Sequence, residues 1–182
     1  LKTIEIMKTK MKIIAVVAIM FAATGTMFAQ VSATGDATAN ILAALGVVNN
    51  TDLNWGDITP GTSVTVVSID ADNTDTRSKD AGDATLLASG ISPSSAEFTL
   101  TGEAAETVDL SFTSSSITLD DGGATNTMPA TLYFTGGLGT TTSTATLTGG
   151  TATFYVGGDL TVGAGQASGA YTTTFEVNAQ YQ

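Results

Sequence analysis

The residues that could do most chemistry are five aspartates in one stretch. Asp70, Asp72, Asp75, Asp80 and Asp83 all fall within IDADNTDTRSKDAGD, residues 69–83. Closely spaced carboxylates bind hard cations, and calcium takes six to eight oxygens from side chains of this kind. An EF-hand loop starting at Asp70 would need Gly at its sixth position, where Asp75 stands, and Glu at its twelfth, where Ala81 stands. The stretch also holds Arg77 and Lys79. It therefore reads first as a solvated acidic loop, with calcium the one cofactor it could take. Two carboxylates could also serve as the acid and base of a glycosidase. Nothing singles out such a pair, and Trp55 is the only Trp available for stacking on a sugar. The chain has no Cys and no His, which excludes Cys/His zinc sites, Ser-His-Asp and Cys-His nucleophiles, and disulfide scaffolds. No enzyme is expected.

Seventeen acids stand against six bases, a net charge of −11 over 182 residues. Nucleic acid is excluded as a partner, because phosphate contacts need Lys and Arg. Most of the bases lie at the start. Lys8, Lys10 and Lys12 precede the apolar run IIAVVAIMFAA (residues 13–23), and the small residue Ala29 follows. That order is the one found in secretory signal peptides. Residues 1–29 are expected to be a leader cut between Ala29 and Gln30. The apolar run is shorter than the ~20 residues a spanning helix needs, so no membrane span is expected in the mature chain. Cleavage removes four bases (Lys2, Lys8, Lys10, Lys12) and one acid (Glu5). Two bases and sixteen acids remain, a net −14 over 153 residues. The expected location is outside the cell or on its surface, and a fold exported without Cys must rest on packing and strand pairing.

The elements that position these residues read as strands. The mature chain is rich in Thr, whose β-branching suits a pleated backbone, and in Gly, which punctuates turns. Period-two alternation recurs, whereas no helix-sized segment carries a 3.6-residue period. Ala37, Ala39, Ile41, Ala43, Leu45 and Val47 alternate through the first run, which predicts a strand over residues 38–48. Phe98 and Leu100, Val108 and Leu110, Leu132 and Phe134, and Phe154 and Val156 alternate in later runs. In the last run Tyr171, Phe175, Val177, Ala179 and Tyr181 share one face, against Thr172, Thr174, Glu176, Asn178 and Gln180. Turns are predicted at Thr59-Pro60-Gly61, Asp120-Asp121-Gly122-Gly123, Gly136-Gly137, Gly149-Gly150 and Gly157-Gly158. The Thr-rich run from Thr140 to Thr148 reads as an exposed edge strand. Many short alternating strands between such turns indicate one all-β domain, an antiparallel β-sandwich. The expected organisation is a leader (1–29), an N-terminal extension with the first strand (30–50), and a sandwich domain (51–182).

Several of these segments resemble one family. DLNWGDITPG (residues 52–61), EFTLTG (97–102), MPATLYF after the DDGG turn, and FYVGGDLTVGAGQASGAYTTTFEVNAQYQ (154–182) are similar to the ordered blocks of the secreted bacterial DUF4402 domains. That family in turn resembles spore-coat-protein-U-like and archaic chaperone–usher pilin subunits. The resemblance implies an immunoglobulin-like sandwich that is incomplete and is completed by an N-terminal strand donated by a neighbour. It places Trp55, in NWG for the family's usual NFG, at an aromatic core position rather than on a sugar platform. It also implies a periplasmic chaperone and an outer-membrane assembly platform as partners. Tyr181, one residue before the C-terminus, matches a Tyr frequent in pilins, whereas the disulfide common near the first pilin strand has no counterpart in ILAALGVV (residues 41–48).

The expected function is therefore a structural subunit of a filament, pilus or coat, forming a homo-polymer. Val31, Ala33, Ala37, Ala39, Ile41, Ala43, Leu45 and Val47 form the candidate donor region. Tyr171, Phe175, Val177 and Tyr181 border the candidate acceptor groove. An extended segment inserted into such a groove gains affinity from main-chain hydrogen bonds, and its alternate side chains fill pockets. A head-to-tail contact of this kind propagates unless it closes on itself. The alternative expectation is a monomeric adhesion or binding module stabilised by calcium.

Overall fold

The computed structural model describes residues 7, 8, 10, 31–123, 125–135, 137 and 139–182. The expected cleavage point at Ala29–Gln30 and nearly all of the expected leader lie outside the described residues. The chain divides into two units, Leu1–Asn40 and Ile41–Gln182. Residues 31–40 are exposed and carry no strand.

The described residues of the second unit form twelve strands: β1 (Gly46–Thr51), β2 (Ile58–Thr59), β3 (Thr65–Ile69), β4 (Arg77–Lys79), β5 (Thr85–Leu86), β6 (Ala96–Thr101), β7 (Thr107–Phe112), β8 (Ser116–Asp120), β9 (Thr127–Phe134), β10 (Thr142–Thr146), β11 (Thr151–Val162) and β12 (Val177–Tyr181). Every pairing is antiparallel. The fold is all-β, as the alternation predicts, and its sheets form a β-sandwich.

The long strand β11 organises the larger, seven-stranded sheet. One of its edges carries β6 along residues 151–156 and β3 along residues 158–162, and the other edge carries β9 along residues 156–160. Strand β1 extends the sheet beyond β6, β4 extends it beyond β3, and β8 pairs with β9. The second sheet has three strands in the order β10-β7-β12. A two-stranded ribbon, β2 with β5, stands apart from both. Leu100, Leu132, Phe134, Val156 and Leu160 from the first sheet and Val108 and Leu110 from the second are buried in one core. Each carries the inward phase of an alternating strand, and all but Leu160 lie in the alternating runs read from the sequence.

Three sequence expectations change. The C-terminal run, read as a strand from Tyr171 to Tyr181, is a strand only over Val177–Tyr181, with a single bridge at Thr172 before it. Gly157 and Gly158, read as a turn, lie in the middle of β11, so two short runs become one twelve-residue strand. A side chain at Gly157 would collide with the backbone of Ile69, Asp70 and Ala71, and one at Gly158 would crowd Thr131 and the Trp55 ring at 3.1 Å. Glycine serves here to let another chain segment approach the sheet closely. The predicted first strand also moves: residues 38–45 carry no strand, and pairing begins at Gly46. The alternation of small residues there has no partner strand to pair with, and alternation alone does not make a ladder. Strand β1 pairs with β6 of the larger sheet. By contrast, the Thr-rich run does form an edge strand, β10, with Thr142, Thr144 and Thr146 exposed.

Candidate functional site

The five aspartates of the acidic segment are not gathered into one site. Asp72 accepts hydrogen bonds from the Thr74 amide (2.8 Å) and hydroxyl (2.7 Å). Asp75, at φ 54°, accepts from the Ser95 amide at 2.9 Å. Asp80 caps the Gly82 amide at 2.9 Å. Asp83 accepts four bonds, from the amides and hydroxyls of Thr62 and Ser63. The Asp70 amide donates to the Thr76 carbonyl. Among the described residues no three acidic side chains are grouped so as to hold a metal ion. The bases are also used locally: Arg77 donates to the carbonyls of Trp55, Asp57 and Leu87, and Lys79 to that of Gly82. Side-chain-to-backbone bonds of this type build turns, so the segment is a scaffold of Asx-type loops.

That scaffold has a consequence for acid stability. The hydroxyls of Ser63 and Thr62, with both amides, hold the Asp83 carboxyl well below the usual carboxylate range, and Thr74 lowers Asp72. A carboxyl whose pKa is lowered by folding stabilises the native state above its unfolded value, about 3.9, and loses that contribution as pH falls through the folded value. Asp83→Asn should therefore lower the urea midpoint at pH 7, and its deficit against wild type should shrink steadily below about pH 4. A deficit that is constant from pH 7 to pH 2 would remove Asp83 from this role.

Unpaired strand edges include those of β1 and β12, each of which ends its sheet. The C-terminal segment runs first along β8, with Thr172 bridging Asp120, and then along β7. The Glu176 carbonyl accepts the Thr113 amide, and the Gln182 amide donates to the Thr107 carbonyl, both at 3.1 Å. Antiparallel ladders alternate the side to which backbone groups point. Glu176, Asn178, Gln180 and Gln182 thus address β7, while the N–H and C=O groups of Val177, Ala179 and Tyr181 point to the outer edge. No described strand pairs with that edge.

Side chains show the same opening. Val177, Ala179 and Tyr181 lie opposite Phe112, Leu110 and Val108 and so face inward, yet all three are only half-buried. Across from them Val47 pairs with the fully buried Leu100 but is 39% exposed. Leu45, Phe98 and Phe175 are likewise half-buried against the core. A chain of rings connects this side to the interior. Phe175 meets Phe98 edge-on at 6.1 Å, Phe98 stacks on Phe154 at 5.1 Å, Phe154 meets Phe134 at 5.9 Å, and Phe134 stacks on Phe112 at 4.1 Å. The result is a sandwich whose core reaches solvent along one side, beside an unpaired strand edge.

Edges are normally blunted by charge, proline or bulges. Strand β1 has such a device, a register break between Asn49 and Thr51 where Asn50 bonds to Glu97 and Thr99. Strand β12 (VNAQY) has no charge, proline or bulge. Of the residues singled out in the sequence, Phe175, Val177, Tyr181, Leu45 and Val47 are brought to this opening. Tyr171 packs instead near Gln166, whose side-chain amide donates to its hydroxyl at 2.9 Å. Val31, Ala33, Ala37, Ala39, Ile41 and Ala43 are exposed. Phe98 was not singled out, because its apolar alternation looks the same as that of a fully buried strand.

No curated protein and no solved structure matches the chain. One family model does, that of a "Domain of unknown function (DUF4402)", and its match over residues 45–181 takes in β1, β12 and everything between them. The chain belongs to the DUF4402 family.

Proposed function

We propose that this protein is a noncatalytic structural subunit of an extracellular filament, pilus or surface coat, exported by its leader and assembled head to tail by strand complementation. The observation that carries the reading is the unpaired edge of β12 beside half-buried inward apolar side chains. A strand added there would pair with the backbone of Val177, Ala179 and Tyr181 and cover Phe98, Phe175 and Val47. In this reading the sandwich is immunoglobulin-like and incomplete, as in the spore-coat-protein-U-like and pilin subunits that it resembles.

The donor is the N-terminal segment of a second copy. Val31 and Ile41 are each 91% exposed, an unusual state for large aliphatic side chains. They share odd positions with Ala33, Gly35, Ala37 and Ala39, so one face of residues 31–41 is apolar or small throughout. Fully extended, those eleven residues span about 36 Å, well beyond the five residues of β12. An open edge is an aggregation hazard before assembly. A periplasmic chaperone and an outer-membrane platform therefore belong to the proposal as partners.

Deleting residues 31–41 from the mature chain tests it. Electron micrographs and sizing should show filaments from the intact chain and monomer only from the deletion. Filaments of undiminished length from the deletion, or a sharp monomer peak from the intact chain, would count against it. The second result would favour a monomeric adhesion module. Because the mature chain carries −14, assembly should also strengthen as salt is raised.

A further inference from the structure

The five-residue turn that joins β6 to β7, residues 102–106, lies where the open side ends. It is pinned to the strand connection below it: the Gly102 amide bonds the Gly150 carbonyl, the Ala105 amide bonds the Leu147 carbonyl at 2.8 Å, and the Leu147 amide returns to Glu106. Two features of the turn stand out. Ala105 adopts φ 67°, a left-handed conformation that a non-glycine residue takes only when its surroundings enforce it. Gly102 has room for no side chain, because a Cβ there would fall on the Tyr181 hydroxyl and within 2.9 Å of Leu147.

Three hydrogen bonds occupy the space so created. The Glu103 amide donates to the Tyr181 hydroxyl at 2.7 Å, and that hydroxyl donates to the Ala43 carbonyl at 2.9 Å. The Ala43 amide in turn donates to a Glu103 carboxylate oxygen at 3.1 Å. Both main-chain hydrogen-bonding groups of Ala43 are thus held by the same two residues. Leu45, two positions on, packs against the core beside them.

We infer that Tyr181 and Glu103 form a latch that grips Ala43 and fixes where the N-terminal arm leaves the sandwich. A residue whose N–H and C=O are both engaged cannot join another ladder while they stay engaged. The latch therefore divides the region from Val31 to Val47 into two parts. Residues 31–41 form the exchangeable arm, and Ala43, Leu45 and Val47 stay with their own copy. This division of labour rests on the strand-complementation reading; the latch itself does not. Its positioning residues are Tyr181, Glu103 and Gly102, and the phenol, the carboxylate and the missing side chain each have a separate part.

Amide hydrogen exchange on the intact mature chain, kept monomeric at low salt, tests the latch. Tyr181→Phe keeps the ring and removes only the hydroxyl, and Glu103→Ala removes the acceptor. Each should speed exchange of the Ala43 amide about tenfold or more, while amides of Leu110 and Leu132 keep their protection. Unchanged exchange at Ala43 in both variants would overturn the latch, whatever the filament experiment shows. In filaments, residues 31–41 should gain protection and residues 43–47 should not. A gain across 43–47 would overturn the division, whereas an absence of filaments would fall on the proposed function alone.

Discussion

Replacing Ala179 with Pro should abolish head-to-tail assembly and leave the sandwich folded. The reason lies in the phase of the β7–β12 ladder. Glu176 and Gln182 bond to β7, so the intervening residues of the same parity do too, and the Ala179 amide points to the unpaired edge. A proline at that position removes no bond within the subunit, which is why proline is tolerated on edge strands. It does remove a donor that an incoming strand needs, and its ring stands in that strand's path. Sizing and electron microscopy should show monomer, with far-UV circular dichroism unchanged and Tm lowered by only a few degrees. Asn178→Pro is the matched control. Its amide addresses β7, so it should destabilise the fold itself. Filaments of normal length from folded Ala179→Pro protein would show that β12 does not receive a strand.

Phe134→Ala should be the most damaging single substitution in the core. Phe134 is 1% exposed, stacks on Phe112 at 4.1 Å and meets Phe154 at 5.9 Å. It lies at the end of β9, pairs with Val156 of β11 in the larger sheet and stacks on Phe112 of β7 in the smaller one, so it bridges the two sheets. Truncating a buried Phe costs about 3–5 kcal/mol, because the transfer energy is lost and the cavity collapses only in part. At about 2–4 °C per kcal/mol for a domain of this size, Tm should fall by roughly 10–15 °C. Phe98→Ala makes an informative comparison. Phe98 touches the same series but is only half-buried, so its loss should be smaller in the monomer. If a donated strand covers it, the loss should grow in the assembled form. A Phe134→Ala variant that melts within about 3 °C of wild type would mean that the core closes over the missing ring more completely than its packing suggests.

How much of this could be read from residues alone depended on the range of the interaction. The final run is legible in its face but not in its length: Tyr171, Phe175, Val177, Ala179 and Tyr181 all pack against the core, as their period predicts, yet only Val177–Tyr181 is a strand. Trp55 is buried, with its indole N–H on the Gly158 carbonyl at 3.0 Å, in keeping with its reading as a packing residue. The edge position of the Thr-rich run was likewise legible, since hydroxyls without large apolar partners suit a solvated strand. Local patterns misled where the deciding partner was distant. Gly157-Gly158 resembles a turn until the 69–71 backbone and Trp55 are seen lying against it. The regular alternation of Ala37–Val47 resembles a strand, but pairing with β6 begins only at Gly46. In the acidic segment the carboxylates of Asp72, Asp75, Asp80 and Asp83 each accept from a hydroxyl or amide of their own.

The sequence by itself therefore determined the all-β class, the inward faces of the strands and the strongly acidic, Cys-free character of the chain. These follow from side-chain chemistry and a period of two, which are local properties. Only the tertiary structure decided which strand edge is left without a partner, which inward side chains reach solvent, and which residues hold Ala43. Those depend on pairings such as Tyr181 with Ala43, 138 positions apart. No local pattern encodes such a contact, because it exists only once two sheets have packed and one side has been left open.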